Sequence, residues 1–348
     1  MGTGVGACKG LSGSSGNSAM ADRTLLAEIG RSLPGYQVAF ASPRDDGSNQ
    51  DIWVVNGDGT GERNLTVSLS GGYDIYPEWG PEGKYIYYTS NKHGGALELY
   101  RVNTGGEPKP ERVSNLGNEV RSLSVSPENG YIALGVMSAT APFGEDLKRF
   151  SADLYVLNQD LMNSIISSGK LVTVDDLKLI LSEPSEKHIW HEQPDWEPGV
   201  EDMQSRIAYV RTQNYDNDPI MVDEIWTVNL DGSNNQRLIE TSSMPRWTVN
   251  GAFIATHEFK VFDVESKQTR QMHISNLARD AGAASISPDG KYVLFETDDS
   301  DRRAGVARFT FKQGDAKLPD NPYFLLLPRP AYEPRWSPVP VSGVRQEM

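Results

Sequence analysis

The chain has 348 residues, 38% hydrophobic and 23% charged, and its 47 acidic against 33 basic side chains give a formal net charge of -14. That composition suits a soluble globular protein with ample length for a core, and an acidic balance without a Lys/Arg cluster argues against a broad nucleic-acid footprint. The longest apolar run, Tyr323-Phe324-Leu325-Leu326-Leu327, is strand-sized and too short to span a bilayer, and Cys8 as the only cysteine excludes an internal disulfide framework and a Cys-based structural zinc site.

Taken in chain order, residues 1–35 form a first segment. Residues 2–18 are Gly/Ser-rich and read as a flexible tether. Ser18 is placed to cap a short helix whose apolar stripe is Leu25, Leu26 and Ile29, with Gly30 near its stop. From Tyr36 the pattern changes to short β runs punctuated by Gly, Asn, Asp and Pro.

One motif recurs six times: an aromatic or aliphatic residue, a variable residue, usually Pro, then a turn. It appears as Trp79-Gly80-Pro81, Val125-Ser126-Pro127, Trp196-Glu197-Pro198, Trp247-Thr248-Val249, Ile286-Ser287-Pro288 and Trp336-Ser337-Pro338, the fourth lacking Pro. A second strand follows, as in Tyr85-Ile86-Tyr87-Tyr88, then a third opened by an acid, as in Asp51-Ile52-Trp53-Val54-Val55. Turns such as Asn56-Gly57-Asp58-Gly59 lead to a fourth, as in Arg63-Asn64-Leu65-Thr66. The repeating unit is a four-stranded antiparallel sheet with two apolar faces, which must stack on copies of itself; radial stacking makes a β-propeller. The step from Val125 to Trp196 is the longest and carries an insertion over residues 161–174. Trp79, Trp196, Trp247 and Trp336 are expected between the stacked sheets as core.

The first unit begins directly with a second-strand sequence, Gln37-Val38-Ala39-Phe40, and the last motif, Tyr332-Glu333-Pro334-Arg335-Trp336, has no second strand after it. The C-terminal strand should therefore complete the first sheet. The expected fold is all-β, a six-bladed propeller over residues 36–340 closed by that strand, with residues 341–348 as a tail.

Residues 38–66 and 77–113 resemble the TolB-like propeller repeats of bacteria, with their Trp-Ser-Pro-Asp-Gly, Ile-Ala-Phe and Asp-Ile-Tyr-Val signatures. The resemblance extends over about residues 36–340. It implies the propeller fold, a place in the bacterial periplasm or outer cell envelope, and a role in docking proteins. The sizeable α/β domain that precedes the propeller in the family's namesake has only about 35 residues in its place here, so partner contacts of that domain do not carry over.

Several segments carry possible chemistry. No Gly-x-Ser-x-Gly elbow exists, which removes the serine-hydrolase reading of related propellers, and Gly2-Thr3-Gly4-Val5-Gly6 lacks the preceding strand of a dinucleotide loop. His188, His191 and Glu192 are candidate metal ligands, with His257 as a possible third imidazole; two His three apart in an extended segment diverge and would converge only in a turn. Asp216-Asn217-Asp218 and Asp298-Asp299-Ser300-Asp301 offer hard oxygens for Ca²⁺ but read better as solvated acidic loops. Val5-Gly6-Ala7-Cys8 resembles a bacterial lipobox, which makes Cys8 a candidate lipid anchor, although no apolar run stands before it.

Strand direction puts the longer loops, residues 42–50, 139–151, 211–222, 298–304 and 182–193, on one side of the disc. Recognition concentrates in such loops. They carry Asp45, Asp146, Asp218 and Asp299 with Phe143, Phe150, Trp190 and Tyr215 as aromatic anchors, which suits a basic protein partner. The first functional reading is a non-enzymatic protein-binding or assembly module with a monomeric core and no cofactor, a bound divalent metal remaining open. The alternative is a carbohydrate-active lyase or hydrolase with its site at the upper channel mouth, and a third class is a metal-stabilised structural repeat protein.

Overall fold

In a computed structural model of the chain, the described residues are 15–43, 49–67, 72–137, 151–183, 189–200, 204–214, 221–272, 274, 282–297, 302–310 and 323–341. They are all-β and mostly antiparallel, with two α-helices, α1 (Ser15–Ser32) and α2 (Gln159–Ser167).

The first sheet contains β1 (Gln37–Pro43), β2 (Gln50–Asn56) and β3 (Arg63–Asn64), and β24 (Tyr332–Trp336) lies beside β1. The second runs β4 (Asp74–Trp79), β5 (Tyr85–Ser90), β6 (Glu98–Asn103), β7 (Glu111–Arg112). An eight-stranded sheet follows. It holds β8 (Val120–Val125), β9 (Tyr131–Met137), β10 (Ala152–Asn158) and β11 (Lys178–Leu181), joined at Ala152↔Trp190 by a parallel bridge to β12 (Ile189–Trp196), β13 (Arg206–Asn214), β14 (Met221–Asn229) and β15 (Gln236–Ile239). Two further four-stranded sheets run β16 (Arg246–Trp247), β17 (Phe253–Ala255), β18 (Lys260–Asp263), β19 (Gln268–Gln271), and β20 (Gly282–Ile286), β21 (Tyr292–Glu296), β22 (Arg303–Arg308), β23 (Phe324–Pro330).

The recurrent motif supplies the first strand of each group and the turn after it. Gly83, Gly251 and Gly290 occupy the same turn position at φ of 66°, 67° and 70°, where a side chain would be strained, and each donates its N–H three residues back, Gly83 to Gly80 at 2.9 Å. The second strands are covered on both faces, so β21 is buried at all five positions. The four motif tryptophans are buried as expected. β24 pairs antiparallel with β1 at Val38↔Trp336, Ala39↔Arg335 and Ala41↔Tyr332. The first strands also contact one another in succession: β4 with β8, β8 with β12, β12 with β16, β16 with β20, β20 with β24, and β24 with β4.

Three readings of the sequence change. Ser18 does not begin α1, which already starts at Ser15, while the helix stops at Ser32, close to Gly30. A Cβ on Gly30 would lie 3.0 Å from the Asp58 Cβ, so glycine there serves close approach. The loop expected over residues 182–193 is shortened because Trp190, His191 and Glu192 belong to β12, and the one over residues 211–222 because β13 extends to Asn214 and β14 begins at Met221. The inserted stretch forms α2, capped by the Asn158 side chain accepting from the Leu161 N–H at 2.9 Å and seated by Met162 against Val113, Ile132 and Val172.

Candidate functional site

The first strands lie beside one another in succession, and four of the ladders they open carry the same irregularity. The ladder slips between Ile75 and Glu78, Val120 and Ser122, Glu192 and Asp195, and Gly282 and Ser285. Three residues before the motif Trp, Tyr76, Gln193, Met244 and Glu333 sit at φ of 57°, 50°, 52° and 51°. A left-handed backbone costs a residue with a side chain ~1–2 kcal/mol. The bulge re-aims the N–H along the wall. Tyr76 N donates to Glu333 Oε2 at 3.0 Å, Gln193 N to Ser122 Oγ at 2.9 Å and Met244 N to Gln193 Oε1 at 2.9 Å. In each case the acceptor belongs to the preceding first strand.

One step before the tryptophan lies a charged layer. Glu78 Oε1 accepts from Arg335 Nε at 2.8 Å and from Arg246 Nη2 at 3.4 Å, and Arg246 Nη1 lies 3.7 Å from Asp195 Oδ1. Asp195 Oδ2 accepts from the Trp247 N–H at 2.6 Å. Burial pushes Glu78 and Asp195 up to about 7, against the pull of Arg246. Nearer the start of the strands, burial likewise raises Glu192 to about 7, with Arg121 Nε 3.7 Å away. Glu333 goes to about 8, through burial and then the Glu296 carboxylate.

This layer separates two cavities that share Glu78. Toward the strand starts, a space of about 120 Å³ is lined by Tyr76, Arg121, Glu192, Gln193, Met244 and Glu333. Toward the motif turns, a space of about 380 Å³ is lined by the motif residues, including Trp79, Pro81, Trp196, Trp247, Trp336 and Pro338. The first is polar, with carboxyl groups that burial raises above the usual carboxylate range; the second offers an apolar wall fit for an aliphatic or aromatic group.

Trp190 does not stand on the surface. It is 4% exposed, packed with Met137 and Ala152 beneath the Arg121 guanidinium, because its place on β12 turns it inward. His191 is also buried, its Nδ1 3.1 Å from the Ala152 carbonyl and its ring edge-on to Tyr209, and burial lowers it to about 4. Neighbouring residues of a strand face opposite sides, so His191 is packed away while Glu192 lines the polar cavity. Among the described residues no group of three or more His, Cys, Asp or Glu is disposed to hold a metal ion. The His257 Nε2 lies 3.3 Å from where a Cβ on Gly282 would be. Cys8, Asp45, Phe143, Asp146, Phe150, His188, Tyr215, Asp218 and Asp299 lie outside the described residues, as do Asp216, Asn217, Asp298, Ser300 and Asp301.

The charged layer escaped the reading of the sequence, yet a signal was present. The residues directly before the four motif tryptophans are Glu78, Asp195, Arg246 and Arg335, two acids and two bases at one repeat position.

No family model matches the chain. Among solved structures it is similar to TolB from Acinetobacter baumannii, at 14% identity and a TM-score of 0.58 over 92% of this chain and 71% of that one. It is similar to an Agrobacterium tumefaciens protein described as TolB, at 16% identity and 0.51 over 80% and 87%. Kuenenia stuttgartiensis hydrazine synthase matches at 12% identity and 0.59, over 88% of this chain and 47% of that one. At such identities the likeness is one of fold, and the fold is a TolB-like β-propeller. Among the described residues no helix is long and apolar enough to cross a membrane.

Proposed function

We propose that residues 36–340 form a six-bladed propeller, closed by β24 on β1, that acts as a non-enzymatic protein-binding or assembly module of the bacterial envelope. The observation that carries this reading is the TolB-like fold over 92% of the chain, which is an argument by analogy of fold. The pairing of β24 with β1 and the succession of first-strand contacts support the closed ring. The binding face is the side of the longer loops, where Asp45, Asp146, Asp218 and Asp299 steer a basic partner and Phe143, Phe150 and Tyr215 anchor it. The module needs no cofactor, works in the periplasm or outer envelope, and is tethered there if Cys8 is lipidated. Crosslinking in the native envelope, followed by capture, tests it. Phe143→Ala with Tyr215→Ala should abolish capture at an unchanged melting temperature, and capture should weaken with salt. Retained capture by that variant, or crosslinks confined to the tight-turn side, would place the face elsewhere; the intact mass of protein from its own membranes decides lipidation.

A second reading, a carbohydrate-active lyase or hydrolase, is favoured by the gathering of Tyr76, Arg121, Glu192 and Glu333 around the polar cavity. Release of unsaturated or reducing ends from a polysaccharide panel, lost in Tyr76→Phe, would establish it in place of the first.

A further inference from the structure

We propose that α1 is a strap across the first and last sheets, and that its undocking is the step by which the seam between β1 and β24 opens. This rests on the closed-ring reading above. Leu25, Ile29 and Leu33 recur every four residues and form one stripe. They enter a single apolar cluster with Val38, Phe40 and Val55 of the first sheet and with Tyr292, Leu326 and Leu327 of the last, so one helix face is shared between the two.

Polar contacts fix the strap to the last sheet. Glu28 Oε1 accepts from the Tyr292 hydroxyl at 3.0 Å, Glu28 Oε2 accepts from Arg308 Nη2 at 2.6 Å, and Ser32 Oγ lies 3.3 Å from the same hydroxyl. Backbone approach fixes it to the first sheet, where Gly30 passes over the Asp58 side chain and Ile29 Cγ2 lies 3.4 Å from where a Cβ on Gly57 would be.

The seam needs such a strap. β24 pairs with β1 at only three positions, with a register shift between Ala39 and Ala41. Around that short ladder stand the Ser337 N–H to the Gln37 carbonyl at 2.8 Å and the Val341 N–H to the Gly35 carbonyl at 2.9 Å. α1 also lies on β23, whose seven residues would otherwise present an open edge. A load or partner acting on the chain before α1 would thus be felt at the join between the two ends of the array.

Hydrogen exchange on the full-length protein, read by peptide mass spectrometry, tests the strap. Ile29→Asp puts a carboxylate into the shared cluster and should quicken exchange over residues 35–43 and 332–341 about tenfold, while β9 and β13 keep their rates. Unchanged exchange at the seam, or equal quickening in β9 and β13, overturns the proposal. Should Ile29→Asp not fold, Glu28→Arg and Arg308→Glu give the same readout: each alone quickens the seam and the two together restore it, and failure to restore counts against the strap. The unmodified protein keeps the two readings apart. Immediate exchange over residues 332–341 before any substitution refutes the closed ring, whereas slow exchange that Ile29→Asp leaves slow refutes only the strap.

Discussion

Glu78 and Arg246 meet at 3.4 Å although their strands, β4 and β16, are three steps apart in the succession of first strands. Arg335 joins Glu78 from the side and Asp195 joins Arg246. The result is a charged floor between a polar cavity and an apolar one.

Arg246→Met should leave Glu78 and Asp195 short of their shared cation. Their side chains are 15% and 17% exposed, enclosed enough that the loss is expected to be about 3 kcal/mol in urea unfolding. Adding Glu78→Gln should recover part of it. Additive losses would show that the two do not act as a pair.

Trp79 and Trp247 separate packing from hydrogen bonding. The Trp79 indole donates to the Arg335 carbonyl at 3.1 Å, and Trp196 makes the equivalent bond to Ser124, while the Trp247 indole N–H has no partner. Trp79→Phe should therefore cost about 1 kcal/mol more than Trp247→Phe. Equal losses in denaturant midpoint would reduce the indole bond to packing.

The cavity carboxylates give stability a pH dependence of fixed sign. Glu78, Glu192 and Asp195 are raised to about 7 and Glu333 to about 8, whereas unfolded carboxyls titrate near pH ~4. The folded chain holds more protons between those limits, so their contribution is full below the unfolded value and is lost as pH rises through the folded one. His191, lowered to about 4, acts in the opposite sense, its contribution being lost as pH falls toward that value. Glu333→Gln keeps an acceptor for the Tyr76 N–H and should flatten the fall in melting temperature across neutral pH. Parallel curves would remove Glu333 from the explanation.

Deleting residues 332–348 takes β24 from β1 and opens the edge of the first sheet. The expected outcome is a broad, low-temperature transition in place of a cooperative one. A melting curve that matches the intact chain would refute closure through β24.

Much of the architecture was legible in the sequence because it rests on local chemistry. The motif tryptophans, the Gly turns and the split between Gln37 and Trp336 each leave a residue signature, and each agrees with the strands observed. The site was less legible. Tyr76, Gln193, Met244 and Glu333 share a left-handed backbone without one glycine among them, since their strain is offset by bonds to another repeat rather than by local conformational freedom. Trp190 was misplaced for a related reason: its surroundings of acids and imidazoles suggest a loop, and only its pairing with Thr212 and Ala152 makes it strand core.

The bulge bonds run in one direction, from a backbone N–H to the side chain of the repeat before it. A repeat therefore brings its donor wherever it goes but depends on its predecessor for the acceptor. Copying or transposing a single repeat would leave Gln193 N facing a stranger in place of Ser122, and the gene would have to amend two neighbouring repeats at once. Such coupling lets each repeat of the array diverge in sequence while discouraging any change in their order.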